Sequence, residues 1–303
     1  MSDDRTNTRC GFVALIGAPN AGKSTLINRL VGTKVSIVSR KVQTTRSIIR
    51  GIAIFGQSQV VFVDTPGIFQ PKRRLDRAMV ETAWGGARDA DLVAVLVDAG
   101  RGLDQEARTI LGKLGDTAQP KILLLNKIDL VPRENLLALA AEANQLATFA
   151  KIFMISALSG DGLDDLAAYL AEAVPAGPFL YPEDEVTDVP LRQLAAEITR
   201  EKLFERLHQE LPYASTVETE SWKEQADGSV RIEQVIFVER DSQKKIVIGK
   251  GGEAIKAISM AARREIAQIA ERPVHLFLFV KVRGKWGDDP ERYRQMGIEF
   301  PKG

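Results

Sequence analysis

The sequence predicts an α/β fold: a mostly parallel sheet with helices on both faces, followed by a smaller α+β domain. Three observations carry this. From Phe12 to about Val174, short apolar runs of strand type alternate with helix-type stretches, the pattern of strands joined by crossover helices. Between Pro175 and Pro190 that periodicity is lost among Pro175, Gly177, Pro178 and Pro182 and the acidic Glu183, Asp184, Glu185 and Asp188. A second, different order of elements then begins. The expected boundaries are residues 1–175 for the first domain, 176–190 for a linker and 191–303 for the second domain with its closing tail.

The first domain draws its strands from Phe12–Ile16, Val60–Val63, Leu92–Val97, Ile122–Leu125 and Ile152–Ile155. Each is followed at once by polar or glycine-containing sequence. In parallel sheets ligands sit beyond the carboxyl ends of the strands, so chemistry is expected there. In the second domain Leu191–His208 reads as an amphipathic helix through Leu191, Leu194, Ile198, Phe204 and Leu207. Strand runs Ser215–Glu220 and Val230–Arg240 flank the turn Ala226-Asp227-Gly228, and a helix follows through Ile255, Ile258, Ala262, Ile266 and Ile269. Val274–Val282 is the last strand.

Bulk properties bound the function. A chain of 303 residues with 45% hydrophobic residues can build two cores. The single Cys10 excludes an intramolecular disulfide and fits a reducing compartment. The start Met-Ser-Asp-Asp-Arg-Thr-Asn has no apolar stretch for a signal peptide, and no apolar run is long enough to span a bilayer. A cytoplasmic protein without an integral membrane segment, monomeric, is expected. The net charge of +1 argues for no particular partner, but residues 240–264 carry a local net +5. His208 and His275 stand far apart without acidic or cysteine companions, which argues against a metal site at either.

The chemistry is concentrated in short motifs at the strand ends. Gly17-Ala-Pro-Asn-Ala-Gly-Lys-Ser-Thr25 lies between the first strand and a helix and forms a P-loop. Gly17 and Gly22 let the backbone turn its N–H groups inward on a phosphate, Lys23 reaches the β- and γ-phosphates, and Ser24 offers its hydroxyl to Mg²⁺. Gly17, Asn20, Ala21, Gly22, Lys23, Ser24 and Thr25 are the expected phosphate-binding residues. Asp64-Thr-Pro-Gly67 ends the next strand, where Asp64 can hold Mg²⁺ through water and the Gly67 N–H can approach a γ-phosphate. Asn126-Lys-Ile-Asp129 selects the base: Asp129 accepts from guanine N1–H and the 2-amino group, which adenine does not present, so an unpaired buried carboxylate would reject adenine. Asn126 braces neighbouring loops and meets N7, and the Lys127 stem covers the base. Ser156-Ala157-Leu158 completes the pocket by offering the Ala157 N–H to guanine O6.

In this order and at these strand ends, GAPNAGKST, DTPG, NKID and SAL resemble the Ras-like GTPase superfamily over roughly residues 10–175. The resemblance implies GTP/GDP binding with Mg²⁺, and a first switch loop within Ser39–Arg46 whose threonine joins the metal; Thr45 is the expected ligand and Thr44 the fallback. It also implies catalytic roles for Lys23, Thr45 and Gly67. One departure matters. Ile68 stands where Ras-type enzymes carry the glutamine that orients the attacking water, which implies slow turnover aided by backbone groups, a partner or a second cation. GTPases of that kind often hold K⁺ on a P-loop asparagine; Asn20 either does this or shapes the loop.

Val247-Ile248-Gly249-Lys250-Gly251-Gly252-Glu-Ala-Ile255 matches the core of a KH domain, whose glycine loop presses against single-stranded RNA. Gly249, Lys250, Gly251 and Gly252 are the expected RNA contacts, with Lys244 and Lys245 on nearby phosphates. Lys281 and Lys285 are weaker candidates, and Trp286, Tyr293 and Phe300 either stack on bases or pack the tail. Together the GTPase motifs, the Pro-rich acidic linker, Gln43-Thr-Thr-Arg46 and Val280–Trp286 with Asp288-Asp289 resemble the Era family. That resemblance implies a GTPase binding the 3′ end of 16S ribosomal RNA, a role in assembly of the small (30S) subunit, and peripheral association with the inner membrane. A rival reading makes GTP a conformational ligand and its hydrolysis incidental.

Overall fold

A computed structural model describes residues 7–39, 41, 44–71, 73–115, 117–207, 211–284, 289–295 and 298–300. The chain divides into two compact units. The first contains β1 (Arg9–Gly17), α1 (Lys23–Val31), β2 (Ile49–Phe55), β3 (Ser58–Asp64), α2 (Arg74–Asp89), β4 (Leu92–Asp98), α3 (Gln105–Leu114), β5 (Lys121–Asn126), α4 (Arg133–Leu146), β6 (Lys151–Ile155) and α5 (Leu163–Ala173). The six strands lie in the order β2-β3-β1-β4-β5-β6. Only β2 runs antiparallel to its neighbour.

The strands are apolar throughout because both faces are covered. Alternate residues feed opposite layers. Val13, Leu15, Phe62, Leu96 and Leu124 pack with Leu26 and Ile27 of α1 and Leu166 and Leu170 of α5. Val93, Val95, Val97, Leu123 and Leu125 pack with Ala83 and Ala87 of α2, Ile110 and Leu111 of α3 and Ala143 of α4. This places the turns after β1, β3, β5 and β6 at one end of the sheet, where the motifs lie.

Strand β2 is absent from the sequence-based expectation, since Arg50 and Gly51 interrupt its apolar run. It forms through a tight hairpin with β3, turning at Gly56 (φ 61°). The Pro-rich stretch also differs from a free linker: it is held along this edge as part of the first unit, which extends to Asp188. The Ile52 N–H donates to Val186 O at 2.9 Å, Thr187 Oγ1 donates to Arg50 O at 2.6 Å, and Arg50 pairs with Asp188 at 2.7 Å. The fully buried Gln59 side chain accepts from the N–H groups of Leu180 and Tyr181 and donates to Tyr181 O at 2.8 Å.

The second unit contains α6 (Leu191–Arg206), β7 (Ser215–Glu224), β8 (Val230–Val238), α7 (Asp241–Ile248), α8 (Glu253–Ile269), β9 (Val274–Val282) and α9 (Pro290–Gln295). Its sheet has the order β7-β8-β9, with β7 antiparallel and β9 parallel to β8. Leu194 and Ile198 of α6 and Ala262 and Ile266 of α8 cover Ile232 and Leu276 of the sheet. Ile37, Val38, Ser39 and Lys41 cluster with this unit: the Val38 N–H donates to the buried Glu201 carboxylate at 2.7 Å, and the Lys41 ammonium meets the Phe204 and Leu207 carbonyls at the end of α6. Helix α7 buries only Val247, so the apolar periodicity does not announce it. Of the tail aromatics, Tyr293 is buried and Phe300 lies under the Arg74 guanidinium; Trp286, like Gln43, His208 and Lys285, lies outside the described residues.

Candidate functional site

The P-loop joins β1 to α1. Gly22 has φ 103°, and a Cβ there would lie 2.2 Å from Asn126 Nδ2, so no other residue fits without displacing the loop. Asn20 also takes the left-handed conformation, φ 62°, with its side chain exposed. Lys23 is buried and donates from Nζ to Gly17 O and Ala18 O, each at 3.1 Å. Burial pushes its ammonium down to about 8, against the pull of Asp64.

Three residues expected at the metal converge. Ser24 Oγ donates to Asp64 Oδ2 at 2.9 Å and lies 3.1 Å from Thr45 Oγ1, which is 3.4 Å from the same carboxylate oxygen. Ser36 is a fourth member that the sequence did not signal: its buried Oγ donates to Asp64 Oδ2 at 2.7 Å. Burial pushes the Asp64 carboxyl up, while Lys23 and the hydroxyls of Ser36, Ser24 and Thr45 oppose that shift. Asp64 Oδ1 is buried without a hydrogen-bond partner among the described residues. One carboxylate with an orphaned oxygen and two hydroxyls beside a phosphate loop fit Mg²⁺, which takes few protein ligands and completes its shell with water and phosphate. No group of three or more His, Cys, Asp or Glu that could hold a metal occurs among the described residues.

The turn after β3 is fastened to the P-loop. The Ile68 N–H donates to Gly17 O at 3.0 Å, and a Cβ on Gly67 would lie 3.0 Å from Pro19. The Ile68 side chain packs with Ile16, Ala18, Ala83 and Ala87, so it is a core residue.

The expected base-recognition residues lie at and just beyond the ends of β5 and β6. Asn126 is buried and braces two loops: Nδ2 donates to Ala21 O at 2.8 Å, and Oδ1 accepts from the Ala157 N–H at 2.9 Å. The Ala157 N–H, expected to meet guanine O6, is directed to Asn126 Oδ1 in this structure, so a bound guanine would share it. Asp129 is exposed on the short helical turn Ile128–Leu130. The polypeptide therefore does not bury this carboxylate by itself; a bound base would have to cover it. Lys127 (φ 66°) reaches back to Asp98 at 2.5 Å, a pairing that sets its stem and that no local motif announced. Ser156 is buried and accepts from the Ser159 N–H at 3.1 Å, and Leu158 is 77% exposed.

In the second unit the glycine loop connects α7 to α8. Gly249 (φ 76°) ends α7, and a Cβ there would lie 2.7 Å from Ala254 Cβ. Gly251 and Gly252 also have positive φ, with open space where a Cβ would stand. Lys250 projects exposed from this loop, Lys245 is exposed on α7, and Lys244 is half-buried. Lys281 is paired with Glu220 at 2.8 Å.

Comparison with known proteins agrees with both units. Residues 12–127 match the family model of the 50S ribosome-binding GTPase, and residues 210–287 match that of the KH domain. GTPase Era of Sinorhizobium medicae (strain WSM419) is 71% identical over 295 residues, covering 97% of this chain and 95% of that protein. The chain belongs to the Era family of GTPases. Another Era relative, from Agrobacterium fabrum (strain C58 / ATCC 33970), is 68% identical over 301 residues, 99% of this chain and 95% of the relative. Solved Era structures resemble it along nearly the whole length. One holds MgGDPNP and nucleotides 1506–1542 of 16S ribosomal RNA (TM-score 0.91, 39% identity, covering 96% of this chain and 99% of that one). Another is a single-residue variant of Aquifex aeolicus Era bound to GDP·AlF4⁻ (TM-score 0.90, 39% identity, the same coverages). As an Era-family protein the chain is a GTPase, with a Ras-like P-loop domain followed by a KH domain. Among the described residues no helix is long and apolar enough to cross a membrane.

Proposed function

We propose that this chain is a GTP-driven switch that binds the 3′ end of 16S ribosomal RNA through its KH domain and acts in assembly and maturation of the small (30S) ribosomal subunit. The observation that supports a switch is the meeting of Thr45 with Ser24 and Asp64. A residue of the segment after α1 thereby shares one carboxylate with the phosphate loop, so the position of that segment depends on what occupies the site. The N–H groups of residues 17–25 and Lys23 would hold the phosphates, Ser24, Thr45 and Asp64 the Mg²⁺, and Asn126, Lys127, Asp129 and Ser156–Leu158 the guanine. Bound Mg²⁺ supplies positive charge to the β- and γ-phosphate oxygens. Gly67 offers its N–H where γ-phosphate charge develops. Ile68, packed in the core, leaves the attacking water to other groups.

The left-handed backbone of Asn20 favours its role in shaping the loop; a K⁺ ion on its side chain is the second reading, decided by comparing hydrolysis in potassium and sodium salts. The RNA reading draws on the exposed Lys250 between glycines of positive φ and on the RNA complex of the 39% identical Era. Action on the 30S subunit and peripheral inner-membrane association rest on the family resemblance, and a cytoplasmic location on the single Cys10 and the polar N-terminal sequence. The decisive experiment measures binding of 16S 3′-end RNA with GDP or GDPNP at two salt concentrations. Tighter binding with GDPNP is expected, with a salt dependence whose slope Lys250→Ala reduces by about 1. Equal binding in both nucleotide states removes the gating, and undiminished binding by Gly249→Asp removes the KH clamp.

A further inference from the structure

We propose that Ser36, held in place by Asn28, is a positioning residue for the metal-binding carboxylate. The inference rests on the reading of Ser24, Thr45 and Asp64 as the Mg²⁺ site and deepens it. Asn28 lies on α1, one turn beyond Ser24, and makes three bonds to the chain just past the helix. Its Oδ1 accepts the N–H groups of Val35 and Ser36, each at 2.9 Å, and its Nδ2 donates to Ser36 O at 2.7 Å. A residue bound at both its N–H and its C=O has little freedom left except rotation of its hydroxyl. That hydroxyl is fully buried and 2.7 Å from Asp64 Oδ2, the shortest of the three hydroxyl contacts to this oxygen.

The arrangement divides labour within the carboxylate. Oδ2 is taken by hydroxyl donors, and Oδ1 alone remains without a partner among the described residues. Ser24 and Thr45 are themselves the expected metal ligands, so when they engage a cation their hold on Oδ2 changes. Ser36 does not share that duty. It fixes the rotation of the carboxylate, so that Oδ1 faces the metal's hydration shell whichever nucleotide is bound. Outer-shell donors of this kind orient a ligand and commonly contribute 10- to 100-fold in metal affinity. Ser36 is thus expected to tune how much Mg²⁺ is needed to retain nucleotide, without touching the nucleotide.

The test follows dissociation of a fluorescent GDP analogue from the full chain as Mg²⁺ is titrated, together with the affinity of the GDP complex for Mn²⁺ measured by electron paramagnetic resonance. Ser36→Ala is expected to raise the Mg²⁺ midpoint and weaken Mn²⁺ binding by about tenfold, while dissociation in EDTA stays within about twofold of the wild type. Asn28→Ala, which keeps the hydroxyl but removes its frame, should shift both quantities the same way. An unchanged midpoint in either folded variant overturns the proposal. So does an equal acceleration in EDTA, which would mean general loosening of the loop. If Mg²⁺ fails to slow release from the wild type, the metal-site reading itself falls; that result is separate from a normal wild type with an indifferent Ser36→Ala.

Discussion

Nucleotide binding should draw protons out of solution, and more of them as the pH rises. Burial holds Lys23 at about 8, against an ordinary value of about 10.4. A β-phosphate in the P-loop restores the negative charge that favours the ammonium and returns it toward its ordinary range. From a value of about 8, roughly a tenth of Lys23 is neutral at pH 7.0 and roughly three quarters at pH 8.5. GDP binding is therefore expected to take up about 0.1 proton at the lower pH and about 0.75 at the higher, and its affinity to fall correspondingly as pH rises. Asp64, pushed up by burial, would also be driven toward protonation by an incoming anion, but its share shrinks with rising pH whereas that of lysine grows. The phosphates of GDP, with a second pKa near 6, are ionised throughout this range. Calorimetry in EDTA, in buffers of different ionisation enthalpy, reads the uptake directly. The free protein gives a second check: a lysine lowered in the folded state destabilises it fully below about pH 8, a penalty relieved as pH rises toward about 10.4. Uptake that is zero between pH 7.5 and 8.5, or that falls across it, would refute the placement of Lys23 against the loop carbonyls in a desolvated site.

Three further outcomes are expected. Gly22→Ala forces a Cβ to within 2.2 Å of Asn126 Nδ2 at φ 103°, and at about 1–2 kcal/mol for the left-handed backbone alone it should weaken binding of a fluorescent GDP by about tenfold or more. Asp129→Asn should lower affinity for GTP by roughly a hundredfold or more and shift preference to xanthine nucleotides; competition titration checks it, and a variant that still prefers GTP sinks the account of the base pocket. Ile68→Gln places an amide among Ile16, Ala83 and Ala87. It should destabilise by about 1–3 kcal/mol without accelerating single-turnover hydrolysis, because the side chain is directed into the core; a faster rate would show that the turn can swing out.

What the sequence revealed was local. The P-loop, Asp64, Asn126 and Gly249–Gly252 are read from residue types a few positions apart, and strands such as Leu92–Asp98 announce themselves because both faces are apolar. What stayed hidden depended on distant partners. Ser36 is one serine in a loop, and its carboxylate lies 28 residues further on. Strand β2 owes its existence to the hairpin with β3 more than to its own pattern. Helix α7, Asp241–Ile248, begins with four polar residues after Asp241 and buries only Val247, so an apolar stripe scarcely shows. Asp129 is exposed in the chain by itself; its burial would come only with the base, which no sequence pattern encodes.

The chain between Val174 and Asp188 looks like a tether, but it also finishes a sheet. An edge strand offers unpaired N–H and C=O groups to any extended chain it meets. Here Val186 and Thr187 engage Ile52 and Arg50 first, and the strap carries outward Pro182, Glu183 and Asp184, which are exposed and make poor templates for further pairing. A fragment ending at residue 175 would keep every expected nucleotide contact yet expose a bare β edge, and would be prone to self-association. One continued to residue 188 would bring its own cover for β2, so the choice of where to cut decides whether that edge is bare.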